Sequence, residues 1–257
     1  YSVQTVKAGS AGAADHADAL LRRLSMQGET SLSRPRLEGE FLTDHLLVEK
    51  DGQPAGFASL FLNPGQRYNN GSTCSFGHLL CINDKAVMDR IISGTEAFSV
   101  KASATWLLGP LNGSTWDEYR VAVPVKNPPY FLEPLHPHYY HELIAGSGLK
   151  PVASYCSQRD AHMAGIKKAG TIEKRISEKG IKFRPISLNH FQEELKKMFH
   201  FCSNAFRQNF LFSPISETGF IERYLRLKDM IAPDFVIFAV DPHDGVKGFI
   251  FAVPEIL

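Results

Sequence analysis

The sequence predicts an α/β (α+β) protein in which one mixed, mostly antiparallel sheet flanked by helices occurs twice, the second time incompletely. Three observations predict this. Residues 46–62 and 236–253 follow one plan: an apolar run, an Asp-Gly turn (Asp51-Gly52, Asp244-Gly245), a Gly-Phe pair (Gly56-Phe57, Gly248-Phe249) and a second apolar run. Asp-Gly between two β-prone runs is a strong hairpin signal, because the tight turn needs positive φ. The two passages lie roughly 190 residues apart, on the scale of one domain. Around each of them, segments of helical and strand period alternate.

Taken in order, Val3–Lys7 is a strand, and Ala13–Met26 is a helix with Leu20, Leu21 and Leu24 on one face. After the first hairpin, a polar tip over Asn63–Thr73 leads to a strand around Ser75–Ile82. Asp84–Val100 carries Val87, Met88, Ile91, Ile92, Thr95 and Phe98 at three- and four-residue steps, an amphipathic helix capped by Asn83 or Asp84. Thr105–Leu108 is a buried strand that Gly109-Pro110 ends. Pro137–Ser147 is a helix with Tyr140, Leu143 and Ile144 inward, and Val152–Ser157 is a last strand. The first copy thus spans residues 1–158. Residues 159–180 are charged and poor in apolar side chains, as a connecting helix or linker is. Residues 181–257 start the series again, with a strand over Ile181–Ile186, helices over Phe191–Phe206 and Glu217–Met230, and the second hairpin. With Tyr1 in place of an initial Met, and Leu257 four residues past a strand, we expect the chain to be trimmed at both ends.

Bulk composition narrows the classes. Hydrophobic residues make up 44% and charged residues 21%, as expected of a folded core. A net charge of +1 gives no basic field for nucleic acid, so no nucleic-acid partner is expected. No run approaches the roughly 18–20 apolar residues of a membrane span, and the start lacks a signal peptide's basic and apolar segments. Cys74, Cys81, Cys156 and Cys202 fall in no metal or redox spacing, which fits reduced thiols and a cytoplasmic location.

Five segments bring a family into view. They are Gly109–Ser114, Asn127–Phe131, His136–Tyr140, Asn204–Phe210 followed by Phe212-Ser213-Pro214, and Ile231–Asp234. With the element order, they resemble the GNAT superfamily of acyl-CoA-dependent N-acyltransferases, and within it a group with tandem domains. The resemblance implies acetyl-CoA or another acyl-CoA as cofactor, its pantetheine paired along a central strand where two strands part. That would place Leu80 and Ile82 against the cofactor, with Lys85 near its pyrophosphate at a helix N-terminus. The family lines that seat with glycines, whereas the turn here, Ile82-Asn83-Asp84-Lys85-Ala86, has none and carries a carboxylate. The family's general-acid tyrosine would fall at Ile144, leaving Tyr140, one turn earlier, as its substitute.

Other candidates are read from the residues. Asn112 and Ser114 follow a strand's C-terminal end and are placed to bind an acceptor, with Trp116 as an apolar wall; a tight turn satisfying its own backbone is the alternative. Asn204, Arg207 and Asn209 are suited to orient a polar acceptor between Phe210 and Phe212, or else simply cap and pack. Glu133 is a carboxylate available as a base. His136, His138 and His141 suggest zinc, but Pro137 and two tyrosines read better as an aromatic helix start, so no metal is expected. Cys81 reads as a small buried apolar residue rather than a nucleophile.

The leading expectation is acyl transfer from acyl-CoA to a small-molecule amine. The alternatives are a non-catalytic ligand- or protein-binding module on a degenerate copy of the fold, and a transferase using aminoacyl-tRNA. The sequence leaves the oligomeric state open.

Overall fold

The computed structural model describes residues 1–123, 129–130, 133–160, 162 and 169–253. Asp51 and Gly52 both take positive φ, 55° and 72°, the geometry whose twist matches that of the strands it joins. The main sheet consists of β1 (Ser2–Lys7), β2 (Leu42–Lys50), β3 (Gln53–Phe61), β4 (Arg67–Tyr68), β5 (Gly71–Cys81) and β6 (Trp106–Leu108). Their order is β1-β2-β3-β5-β4, antiparallel throughout, with β6 added parallel to β5. The polar tip over Asn63–Thr73 contains β4 and the start of β5, because Asn69 and Asn70 also take positive φ and turn the chain back on itself.

Two helices cover this sheet. α1 (Ala11–Met26) buries Ala13, His16, Ala17, Leu20 and Leu24, a stripe at helical spacing. α2 (Lys85–Lys101) buries Val87, Met88, Ile91, Ile92, Thr95 and Ser99, and Asp84 caps it by accepting from Ala86 N and Val87 N. Both pack on β2 and β3, which explains why the last seven residues of β3 are all buried instead of alternating. Gly94 of α2 is where the helix meets β2: a Cβ there would lie 2.6 Å from Leu46 Cδ2.

Two expectations fail here. β6 is shorter than Thr105–Leu108, and only Leu108 in it is buried; Trp106 is 38% exposed, since β6 pairs with β5 alone. Val152–Ser157 forms no strand and is exposed along its length. Its Val and Tyr give it β-propensity, but propensity acts through burial against a pleated surface, and every residue of this segment is exposed. α3 (Tyr139–Ala145) forms with Tyr140 and Ile144 buried and Leu143 packed at the margin of the core.

The chain divides into two compact units, Tyr1–Ser154 with Phe210–Ser213, and Tyr155–Asn209 with Pro214–Leu257. The second holds α4 (Ala169–Ser177), β7 (Lys182–Pro185), α5 (Phe191–Ala205), α6 (Glu217–Leu225), β8 (Val236–Val240) and β9 (Val246–Phe251). Its sheet runs β7-β8-β9, antiparallel, the order that β1-β2-β3 has in the first unit. The helix expected over Glu217–Met230 ends at Leu225 and gives way to a 3₁₀ turn at Lys228–Met230. In the second hairpin Asp244 has positive φ, 62°, but Gly245 does not. Asp241 accepts from His243 N and Gly245 N at 2.9 Å each, and a Cβ on Gly245 would lie 2.8 Å from that carboxylate. This glycine makes room rather than bending the chain.

Gly94→Ala is a test of the α2–β2 contact. A helix-interior Gly→Ala change ordinarily gains about 1 kcal/mol, whereas overpacking a core costs about 1–3 kcal/mol. We expect a net loss, read as a lower midpoint in urea unfolding, because Leu46 is 1% exposed and has nowhere to move.

Candidate functional site

β5 and β6 pair over only three residues, Thr73–Ser75, and then part. One more backbone bond, Leu111 N to Phe76 O at 2.8 Å, closes the join. Beyond it, the edge of β5 away from β3 has no strand beside it among the described residues. Ile82 N donates to Ala55 O, so Ile82 and its alternate Leu80 turn their backbone toward β3, while Leu79 and Cys81 face the parted edge. Leu80 and Ile82, the expected cofactor contacts, are therefore on the wrong side of the strand, and their side chains are buried.

Side chains occupy the parted edge. Cys81 N donates to Tyr140 Oη at 2.8 Å, and Tyr140 Oη donates to Leu79 O at 3.3 Å. Tyr139 Oη donates to Cys81 O at 2.9 Å, and His78 N donates to Asn112 Oδ1 at 2.8 Å. Gly77 admits this last contact, since a Cβ there would lie 2.0 Å from Asn112 Oδ1. Tyr140 is fully buried, and that burial raises its phenol far above the ordinary tyrosine range. Its hydroxyl is committed to two backbone groups, which corrects its reading as a general acid. Cys81 is buried as expected, its thiol pushed up by burial.

A bulge interrupts the β3–β5 register between Phe57↔Leu80 and Ser59↔Gly77, and His78 sits in it at φ 44°. Bulges re-aim side chains, and left-handed non-glycine residues cluster at functional sites. From Thr73 to Cys81, His78 alone is not buried. Its Nδ1 lies 2.9 Å from Ser59 Oγ, which is also 3.1 Å from His45 Nδ1, and His45 Nε2 lies 3.2 Å from Leu37 O. Phe61 packs edge-on against the His78 ring. Burial, followed by the charges of His45 and Arg36, brings His78 down to about 4, and burial also lowers His45. Both rings are neutral near pH 7. Sequence reading missed all three residues; the one available signal was a polar residue within an apolar run of the hairpin, Ser59, with His45 directly before the other run.

At the start of α2, the place where an anion would bind already holds one. Asp84 Oδ1 accepts from Ala86 N at 2.8 Å and Val87 N at 3.3 Å, and Asp84 Oδ2 meets Lys50 Nζ at 2.6 Å. The Lys50 bond, with the two amides, holds the Asp84 carboxyl below its usual range. Lys85 is paired with Asp89 at 2.6 Å and is not turned to this end of the helix. A pyrophosphate here would displace Asp84 or repel it, so the residues do not fit acyl-CoA in this seat.

The structure brings six of the remaining sequence-derived candidates into the first unit, Glu133 among them. Asn112 and Ser114 are buried, Ser114 Oγ accepting from Trp116 N at 3.3 Å. Trp116 Nε1 donates to Ser213 O at 2.9 Å and its ring meets Phe212 edge-on, while Phe210 meets Tyr68 edge-on at 6.0 Å. Asn63 Nδ2 donates to both Gly113 O and Ser213 Oγ. Asn204, Arg207 and Asn209 lie exposed in the second unit, Asn204 donating back to His200 O in α5. Glu133 Oε2 accepts from Tyr130 N at 2.8 Å in a local turn. Asn127, Pro128 and Phe131 of the quoted motif lie outside the described residues. Among the described residues there is no cluster of three or more metal-ligating side chains, and no helix is long and apolar enough to cross a membrane.

No family model and no curated protein matches the chain. Among solved structures it is similar to an aminoglycoside N-acetyltransferase, AAC(6')-Iy, in complex with CoA, at 13% identity and a TM-score of 0.35, covering 62% of this chain and 98% of that one. A likeness of that size carries no inference about chemistry. What the fold itself defines is an α+β protein with antiparallel sheets flanked by helices.

Two outcomes are expected. Tyr140→Phe leaves the buried Cys81 amide without an acceptor and costs about 1–3 kcal/mol in urea unfolding. For His78, the unfolded ring titrates at 6.5 and the folded one at about 4. Above pH 6.5 neither state is charged and stability is full. Below that the unfolded chain binds a proton that the folded ring refuses, so stability falls as the pH drops toward 4, by about 2 kcal/mol at pH 5 from this residue. His78→Asn should flatten that slope in unfolding midpoints measured between pH 7 and 5.

Proposed function

We propose that the protein takes part in N-acyl transfer from acyl-CoA to a small-molecule amine in the cytoplasm, and that its first unit holds the amine and not the acyl-CoA. The observation that carries this is the parting of β5 and β6 beside His78, which opens the sheet where the resembling family works. The Asp84–Lys50 pair occupies the helix end where a pyrophosphate would sit, which disfavours acyl-CoA on α2. The hairpin in the second unit supports a second, related domain, with residues 159–180 as the connection.

A second reading has its own observation in its favour. Tyr139, Tyr140 and Asn112 satisfy the parted edge so fully that no strand-like ligand is needed there. On that reading the first unit is a non-catalytic binding module.

Calorimetric titration of acetyl-CoA into the protein separates them. We expect binding that Lys85→Ala changes by less than about twofold, since Lys85 is paired with Asp89. A loss of about tenfold in Lys85→Ala, equivalent to about 1.4 kcal/mol, would place acyl-CoA on α2 and overturn the assignment of the first unit. Absence of binding by any acyl-CoA would remove the transferase reading and leave the module.

A further inference from the structure

The hydrogen-bond chain through Ser59 admits one arrangement of protons. Leu37 O can only accept, so His45 Nε2, 3.2 Å away, carries the hydrogen. In the neutral ring His45 Nδ1 is then a bare lone pair, and Ser59 Oγ, 3.1 Å away, donates to it. Having spent its only hydrogen, Ser59 Oγ accepts from His78 Nδ1 at 2.9 Å. His78 therefore carries its proton on Nδ1, and its Nε2 is a lone pair with no protein partner among the described residues. Strand and bulge fix the ring in that direction, at the one position between Thr73 and Cys81 that is not buried.

We infer that His78 Nε2 is the atom in the first unit that accepts the N–H of a neutral amine, with His45 and Ser59 as positioning residues that hold the tautomer. This rests on the proposed function for the identity of the ligand, but not for the tautomer. Desolvation in the half-buried site selects the neutral form of the amine. His45 on β2 and Arg36 in the segment before it are the charged or titratable groups that act on His78, and Arg36 is cationic, held 3.7 Å from Asp117. An ammonium would lose hydration beside the Phe61 ring, whereas an uncharged amine gives up little and still meets the lone pair. Near pH 7 the imidazole is neutral, so the lone pair is available across the physiological range.

Long-range nitrogen–proton NMR on the full chain at pH 7 tests the inference, with aniline, an amine uncharged at that pH, as the probe. The expected result is Nδ1–H at His78, Nε2–H at His45, and a displaced His78 Nε2 resonance when aniline is added. Ser59→Ala should release the lock and move His78 toward the Nε2–H form that free imidazoles favour. His78→Asn keeps a donor toward Ser59 and tolerates positive φ, so it should fold and lose aniline affinity by about tenfold. Nε2–H at His78 in the unaltered protein, an Nε2 resonance indifferent to aniline, or full aniline affinity in His78→Asn would each overturn the inference. Failure of acetyl-CoA to bind would instead count against the transferase reading and leave the tautomer result standing.

Discussion

Once β6 leaves β5, a row of buried backbone groups has lost its strand, and the rest of the first unit is arranged to satisfy them. An unpaired buried amide or carbonyl costs about as much as a lost hydrogen bond. Phe76 O is met by Leu111 N, His78 N by Asn112, Leu79 O and Cys81 N by Tyr140, and Cys81 O by Tyr139. That requirement explains why α3 begins with two tyrosines, why Tyr140 is fully buried, and why Gly77 has no side chain. Residues that look like catalytic or binding groups in the sequence are here taken up by the backbone.

The same logic operates at α2. A helix N-terminus attracts an anion whatever its source, and Asp84 supplies one from within the chain, with Lys50 of the neighbouring strand as counter-ion. The glycine-free turn was legible in the sequence as a poor phosphate seat. That Lys50 would complete the pair was not, because the two residues meet only when β2 is placed beside α2.

The second unit repeats the strand order but holds its hairpin by other means. Arg184 on β7 meets Glu194 of α5 through two bonds of 2.6 and 3.0 Å and Asp244 of the hairpin loop through a third, and Lys197 also reaches Asp244. Asp51 and Gly52 turn the first hairpin in two residues, whereas Asp241 organises a longer loop in the second. Two passages that look alike as sequence thus reach the same pairing through different local chemistry.

Sequence alone determined what is local: the Asp51-Gly52 turn, the apolar stripes of α1 and α2, a cap for α2 at Asn83 or Asp84 and the antiparallel order around each hairpin. These follow from interactions spanning a few residues. It misplaced Val152–Ser157 and the role of Tyr140, since both depend on neighbours distant in the chain. The site was decided by tertiary structure alone. Counted outward from its two-residue turn, the first hairpin would set His45 opposite Ala58, but a register shift between Val48 and Glu49 sets it opposite Ser59. A second shift in β5 brings His78 to the same hydroxyl. A slip of one residue exchanges the two faces of a strand, and what fixes these slips is packing across the sheet, which no short stretch of sequence records.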